Sequence, residues 1–397
     1  MSKLLFINGN LHGHVNPTLP VVRELVRRGE EVFYFSTREF QSKIEAAGAV
    51  FMDYGEDFDQ FLKQFSPHGS HPFYTLMEYM LAFDRTIMPI VLKRTAGMHF
   101  DCLLHDIMFG GGNLLARQLE LPAIASCSSF VMEKPPLPAH MLEPGFHPQL
   151  DILYEELKKV REEWNLEKLA LSDIFFKREA LILVYTSRLF QPQGDTLGAF
   201  YCFTGPSIMD RNETADFRLL PERGKLIYIS MGTINNHCDD FYNNCLEAFA
   251  DSPYQVVMSV GKSTAVASLK HIPDNFIVRN YIPQLEALKH AEVFISHGGL
   301  NSVSEALYYG VPVIAVPMAN DQPAVAARLE ELGAGLKLKY EDITPGLLKN
   351  AVQTVLAEPD YRIHSHEIRE SFLEAGGYKR AADEIISYIR RKVPADA

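Results

Sequence analysis

Residues able to do chemistry concentrate between Tyr281 and Gln322. There the sequence runs Y-I-P-Q-L-E-A-L, then F-I-S-H-G-G-L-N-S-V-S-E-A-L, then G-V-P-V-I-A-V-P-M-A-N-D-Q. An apolar strand, Val293 to Ser296, ends in His297 and two glycines, and a helix starts near Asn301. Gly298 and Gly299 allow unusual dihedrals and close backbone approach. Asn301 and Ser302 fall at the helix N-terminus, where free N–H groups and the helix dipole attract phosphate. Glu305, four residues on, shares that helix face and can accept hydrogen bonds from ribose hydroxyls. A carboxylate beside a diphosphate is repulsive unless sugar hydroxyls intervene, so the pattern suits a nucleotide.

Two further patches carry reactive types. The loop N-G-N-L-H-G-H-V-N-P, from Asn8 to Pro17, follows the first apolar run. A histidine at the carboxyl end of a strand points into a ligand cleft, and its ordinary pKa suits a base near neutral pH. The residues alone leave His12 and His14 both open. Ser230-Met231-Gly232-Thr233 ends another apolar run, and Asp106 ends the run L-L-H-D-I-M.

Alternating strands and helices must position these groups. Lys3 to Asn8 reads as a buried strand, followed by a loop and a helix opening at Asn16-Pro17, good N-cap and first-turn residues. Glu31 to Ser36 is the next strand, and Arg38 to Ala47 the next helix. Strands at 102–105, 123–126 and 181–185 complete a first half, with a charged helix at 150–164. Strands at 225–230, 255–260, 276–279, 293–296 and 311–316 build a second. The fold class is therefore α/β: two facing doubly wound Rossmann-like domains with a central cleft, ligands binding beyond the carboxyl ends of the strands. The expected division is residues 1–205 for the acceptor side, a linker at 206–223, 224–375 for the nucleotide side, and 376–397 as a last helix that crosses back onto the first domain.

With those elements drawn, the long segment resembles the donor-binding signature of UDP-dependent glycosyltransferases, especially the bacterial macrolide glycosyltransferase group and its plant relatives. The spacing W-x-P-Q … H-x-G-x-N-S-x-x-E … G-x-P … P … D-Q is met almost throughout, with Tyr281 where plant members carry Trp. The resemblance implies a GT-B type fold and a UDP-sugar co-substrate. It implies that Tyr281 stacks on the base and Gln284 helps hold it. His297, Asn301, Ser302 and Thr233 of the Ser230–Thr233 loop would contact the diphosphate, Glu305 the ribose, and Asp321 with Gln322 the sugar. The family pattern H-x-x-P selects His14 as the acceptor-activating base, and Asp106 aligns with the carboxylate that orients it. A terminal Gln like Gln322 accompanies glucose in related proteins, so UDP-glucose is the expected donor. In the reaction so implied, one displacement inverts the anomeric centre, and helix and loop donors stand in for a metal; neither metal nor cofactor is expected.

Composition narrows the partners. The 397 residues carry a net charge of -12, which argues against nucleic acid and anionic membranes. Five cysteines without a C-x-x-C pair suggest a reducing, cytoplasmic setting. The opening M-S-K-L-L-F-I-N-G-N reads as a strand, not a signal peptide. The apolar window Phe73–Leu92 holds Glu78, Asp84, Arg85 and Pro89, so it is a buried or groove-lining helix rather than a membrane span. Phe, Tyr, Met and Leu there and in Phe130–Phe146 suit a hydrophobic hydroxylated acceptor, a macrolide or a phenol. The run D-F-D at Asp57–Asp59 is expected on a solvated loop. F-G-G-G-N-L-L-A after the 102–105 strand is a weak dinucleotide fingerprint, which leaves an oxidoreductase as one rival. A nucleotide-sugar hydrolase or epimerase of the same fold, or a non-catalytic nucleotide-sugar sensor, is the alternative that keeps the donor segment.

Overall fold

The computed structural model describes residues 1–109, 111–166, 169–172, 179–209, 224–232 and 237–392. Its central strands are apolar runs buried on both faces, as parallel sheets require. In β1 (Lys3–Ile7), for example, Leu4, Leu5, Phe6 and Ile7 are wholly buried. With β2 (Glu31–Ser36), β3 (Val50–Asp53), β4 (Cys102–Asp106), β5 (Ala123–Cys127), β6 (Ile182–Val184) and β7 (Tyr201–Phe203), it forms a sheet in the order β3-β2-β1-β4-β5-β6-β7. A second sheet holds β8 (Leu226–Ser230), β9 (Gln255–Ser259), β10 (Phe276–Arg279), β11 (Ala291–Ser296), β12 (Val313–Ala315) and β13 (Gly335–Lys337), in the order β10-β9-β8-β11-β12-β13.

Strand order reverses between β1 and β4 in one sheet and between β8 and β11 in the other. At such switch points the helices on the two sides diverge and leave a crevice beyond the strand ends. The registers are Ile7 opposite His105 and Ser230 opposite Ser296. Each sheet thus brings two of the reactive patches side by side.

The chain divides into two units, but not at the expected boundaries. The first comprises the described residues up to Val184, Gly198–Cys202, and the closing helix from Tyr378. The second takes Tyr185–Leu197 and the described residues from Phe203 to Gly377. Residues 185–197 and 203–205 therefore leave the expected first domain. Their anchors explain it: Phe190 is fully buried against Phe372, Ser187 Oγ bonds Ser371 Oγ at 2.8 Å, and Arg328 donates to the carbonyls of Leu189 and Phe190. The closing helix, Gly377–Lys392, buries Ala381, Ala382, Ile385, Tyr388 and Ile389, and its Asp383 pairs with Arg28, the C-cap of helix Thr18–Arg27. Most of the expected linker lies outside the described residues.

Two local expectations are corrected. Residues 57–59 lie in helix Glu56–Gln64, not a loop: Phe58 is wholly buried while Asp57 faces solvent. The three acids of its first turn, Glu56, Asp57 and Asp59, suit the positive end of the helix dipole. The loop after β1 contains a helical turn, His12–Val15, ahead of helix Thr18–Arg27. The apolar window is helix Pro72–Arg94, and no helix among the described residues is long and apolar enough to cross a membrane.

Candidate active site

In the first unit the structure joins His14 to Asp106. His14 Nδ1 stands 2.9 Å from Asp106 Oδ2, with side-chain exposures of 17% and 3%. Parallel pairing of β1 with β4 explains this, since it sets the loop after Ile7 beside the end of Cys102–Asp106. The Asp106 carboxylate is satisfied at both oxygens, Oδ1 accepting the Met108 N–H at 2.7 Å. Because a carboxylate only accepts, the imidazole proton sits on Nδ1, which makes Nε2 the basic nitrogen. His12 takes a different partner, Glu39, at 3.1 Å.

Asn8, which sequence reasoning passed over, holds this histidine in place. Wholly buried, it donates from Nδ2 to the His14 carbonyl at 3.1 Å and to the Tyr34 hydroxyl at 2.9 Å. Tyr54 donates to its carbonyl at 2.7 Å, and Thr18 bonds both Tyr34 and the Val15 carbonyl. A polar residue at the end of a buried strand, with so many partners, was the available signal.

In the second unit the donor candidates gather around the ends of β8 and β11. The His297 ring lies between two glycines whose missing side chains make room for it. A Cβ on Gly232 would fall 2.6 Å from the ring, and one on Gly299 2.5 Å from Nε2. Burial pushes His297 below the ordinary histidine pKa, while the charge of Asp321 and a bond to the Ser230 backbone pull it up. Near neutral pH the ring is therefore uncharged. Ser230 is buried, with its Oγ 3.4 Å from the Gly232 N–H. Thr233 lies outside the described residues.

Helix Leu300–Tyr308 begins at the N-cap Gly299, with no side-chain cap. Asn301 and Ser302 occupy its first turn, half-buried, and Glu305 is buried one turn on. Gln284 Nε2 donates to Glu305 Oε2 at 2.7 Å and lies 3.4 Å from Ser302 Oγ; its Oε1 accepts from Tyr228 at 3.4 Å. This glutamine therefore braces Glu305, a link no local pattern announces. Tyr281 is 63% exposed. Asp321 is exposed at the start of helix Gln322–Glu331. Gln322 is buried, and its Oε1 accepts the N–H groups of Met318 and Ala319 at 2.8 and 3.0 Å. It shapes the loop before the helix.

A Rossmann-like unit with a histidine–carboxylate pair, and another with an anion-suited helix start beside a buried glutamate, define a class, the GT-B glycosyltransferases. The match to the family described as UDP-glucoronosyl and UDP-glucosyl transferase spans residues 137–368. The chain is 36% identical to the uncharacterized UDP-glucosyltransferase YojK of Bacillus subtilis, over 99% of this chain and 98% of that protein. It is 30% identical to the oleandomycin glycosyltransferase of Streptomyces antibioticus, covering 94% of this chain and 88% of the relative. The solved structure of the glycotransferase of kitacinnamycin superposes with a TM-score of 0.87 at 26% identity, covering 99% of each chain. The chain belongs to the UDP-glycosyltransferase family, in the bacterial group that includes the macrolide glycosyltransferases, and is a glycosyltransferase enzyme.

Proposed function

We propose that this glycosyltransferase moves glucose from UDP-glucose to a hydroxyl of a hydrophobic small molecule, such as a macrolide or a phenolic natural product, with inversion. The observation that carries the base assignment is the 2.9 Å contact between His14 Nδ1 and Asp106 Oδ2. In this reading the acceptor hydroxyl gives its proton to His14 Nε2 as its oxygen attacks the anomeric carbon. The bond from that carbon to the diphosphate breaks, and UDP leaves from the opposite face. Asp106 stabilises the imidazolium that forms, the logic of a hydrolase triad. Charge building on the diphosphate meets the N–H groups at the start of helix Leu300–Tyr308, with the His297 ring beside them. These donors support a reaction without a bound metal or cofactor.

Tyr281 is read as stacking on the base, Gln284 and Glu305 as holding base and ribose, and Asp321 with Gln322 as ordering the sugar. Tyr281 serves uracil and thymine alike as a flat ring, so TDP-glucose belongs in the test. Five free cysteines, four of them buried, support a cytoplasmic setting. The experiment is mass spectrometry of a phenol and macrolide panel incubated with UDP- and TDP-glucose, using wild type and His14→Ala. Glucosides should form with wild type, and His14→Ala should lose transfer while binding UDP with nearly unchanged affinity. A His14→Ala enzyme with full activity would overturn the base assignment. A nucleotide-sugar hydrolase would instead release free glucose whatever acceptor is offered.

A further inference from the structure

A second histidine–carboxylate pair lies buried behind the first. His105 precedes Asp106 on β4, so strand alternation turns its ring to the opposite face of the sheet. There Nδ1 stands 3.1 Å from the main-chain oxygen of Asp106, and Nε2 stands 3.3 Å from Glu179 Oε1. Asn113 Nδ2 donates to the same Oε1 at 2.9 Å. His105 and Glu179 are 6% and 9% exposed. The ring packs directly on Gly112, where a Cβ would meet its Cγ at 2.3 Å.

The ring is tied at both ends, Nδ1 at the Asp106 carbonyl oxygen and Nε2 at the Glu179 carboxylate. The Asp106 carbonyl also accepts the Phe109 N–H at 2.9 Å, so His105 secures the peptide from which the turn after β4 departs. Among the described residues, the Glu179 charge also acts on Cys102 and Tyr388, and burial holds the Cys102 thiol and the Tyr388 phenol above their ordinary values.

We propose that His105 and Glu179 are positioning residues that fix the main chain of Asp106, and through it the aim of its carboxylate at His14. This rests on the reading of His14 as the base. The test measures kcat, the KM for UDP-glucose, the rate–pH profile and the melting temperature of Glu179→Ala, Glu179→Gln, Asn113→Ala and His14→Ala. Glu179→Ala should lower kcat on the order of tenfold, the scale set by small misplacements of catalytic groups, with the donor KM unchanged. Its acid limb should shift, because Asp106 no longer faces His14 as it does in the wild type. Glu179→Gln, whose amide N–H can donate to Nε2 and keep the ring bridged, should recover most of the rate. Asn113→Ala removes one donor to Oε1 and should fall between wild type and Glu179→Ala. A folded Glu179→Ala with wild-type kcat and an unmoved acid limb overturns the proposal, whatever its melting temperature. If Glu179→Ala does not fold, an unchanged Asn113→Ala does the same. An active His14→Ala would defeat the base reading itself, whereas an inactive one beside an unchanged Glu179→Ala defeats only this inference.

Discussion

Asp106→Asn tests the base pair most sharply, because the structure dictates how the amide must sit. Asp106 Oδ1 accepts the Met108 N–H at 2.7 Å, and only the amide oxygen of Asn can replace it. The amide nitrogen is then left facing His14 Nδ1 across the 2.9 Å contact. Two N–H groups cannot point at one another, so the imidazole proton moves to Nε2, the atom that should receive the acceptor's proton. Losing the charge-assisted bond costs about 1.5–3 kcal/mol, or roughly 10- to 150-fold in rate. The wrong tautomer adds to that, within the roughly 10²–10⁴ that a general base contributes altogether. We expect kcat to fall by roughly 10²–10³ at saturating UDP-glucose, with UDP affinity by calorimetry unchanged. The assay is initial glucoside formation by liquid chromatography across the neutral pH range. An Asp106→Asn enzyme within about threefold of wild-type kcat, with an unaltered pH profile, would refute the reasoning.

Other perturbations probe the second unit and the packing. Gly299→Ala puts a Cβ 2.5 Å from His297 Nε2, so the ring must shift, and UDP binding by calorimetry should weaken by about tenfold or more. Glu24, buried against Arg27 and Arg28, has a carboxyl held down to about 2 by bonds to Arg27 first and Arg28 next. The native state therefore prefers the ionised form, and that stability, about 2 kcal/mol after allowing for the solvent-exposed Arg27, is lost as pH falls from the ordinary glutamate range toward about 2. Glu24→Gln should be destabilised near neutrality and lose this acid dependence in melting curves. Asp84 shows the opposite sign: burial pushes it well above the ordinary aspartate value, and its Oδ1 has no hydrogen-bond partner among the described residues. Here the native state holds the proton more tightly, so stability falls as pH rises from the ordinary aspartate value through the native one. Asp84→Asn should abolish that decline, read as melting temperature against pH.

Legibility followed burial. Central strands such as β1, β8 and β11 are continuous apolar runs and could be read directly. The strands missed were β3, β7 and β13, all at sheet edges, where a strand has one neighbour and weaker pressure to be apolar. The D-F-D helix was missed because one buried Phe among acids carries little periodic signal.

The sequence by itself determined the fold class and the strand, glycine turn and helix start between Val293 and Glu305, because these are contiguous in the chain. Tertiary structure decided what is not local. His14 and Asp106 are 92 positions apart and meet because β1 pairs with β4 at the switch point. Gln284 turns to Glu305, 21 positions away, and residues 185–197 join the second unit through Phe190 and Arg328. His105 reaches Glu179 over 74 positions. Such partners are selected by strand order and by the need to satisfy polar groups once buried, and neither exists until the sheets have formed.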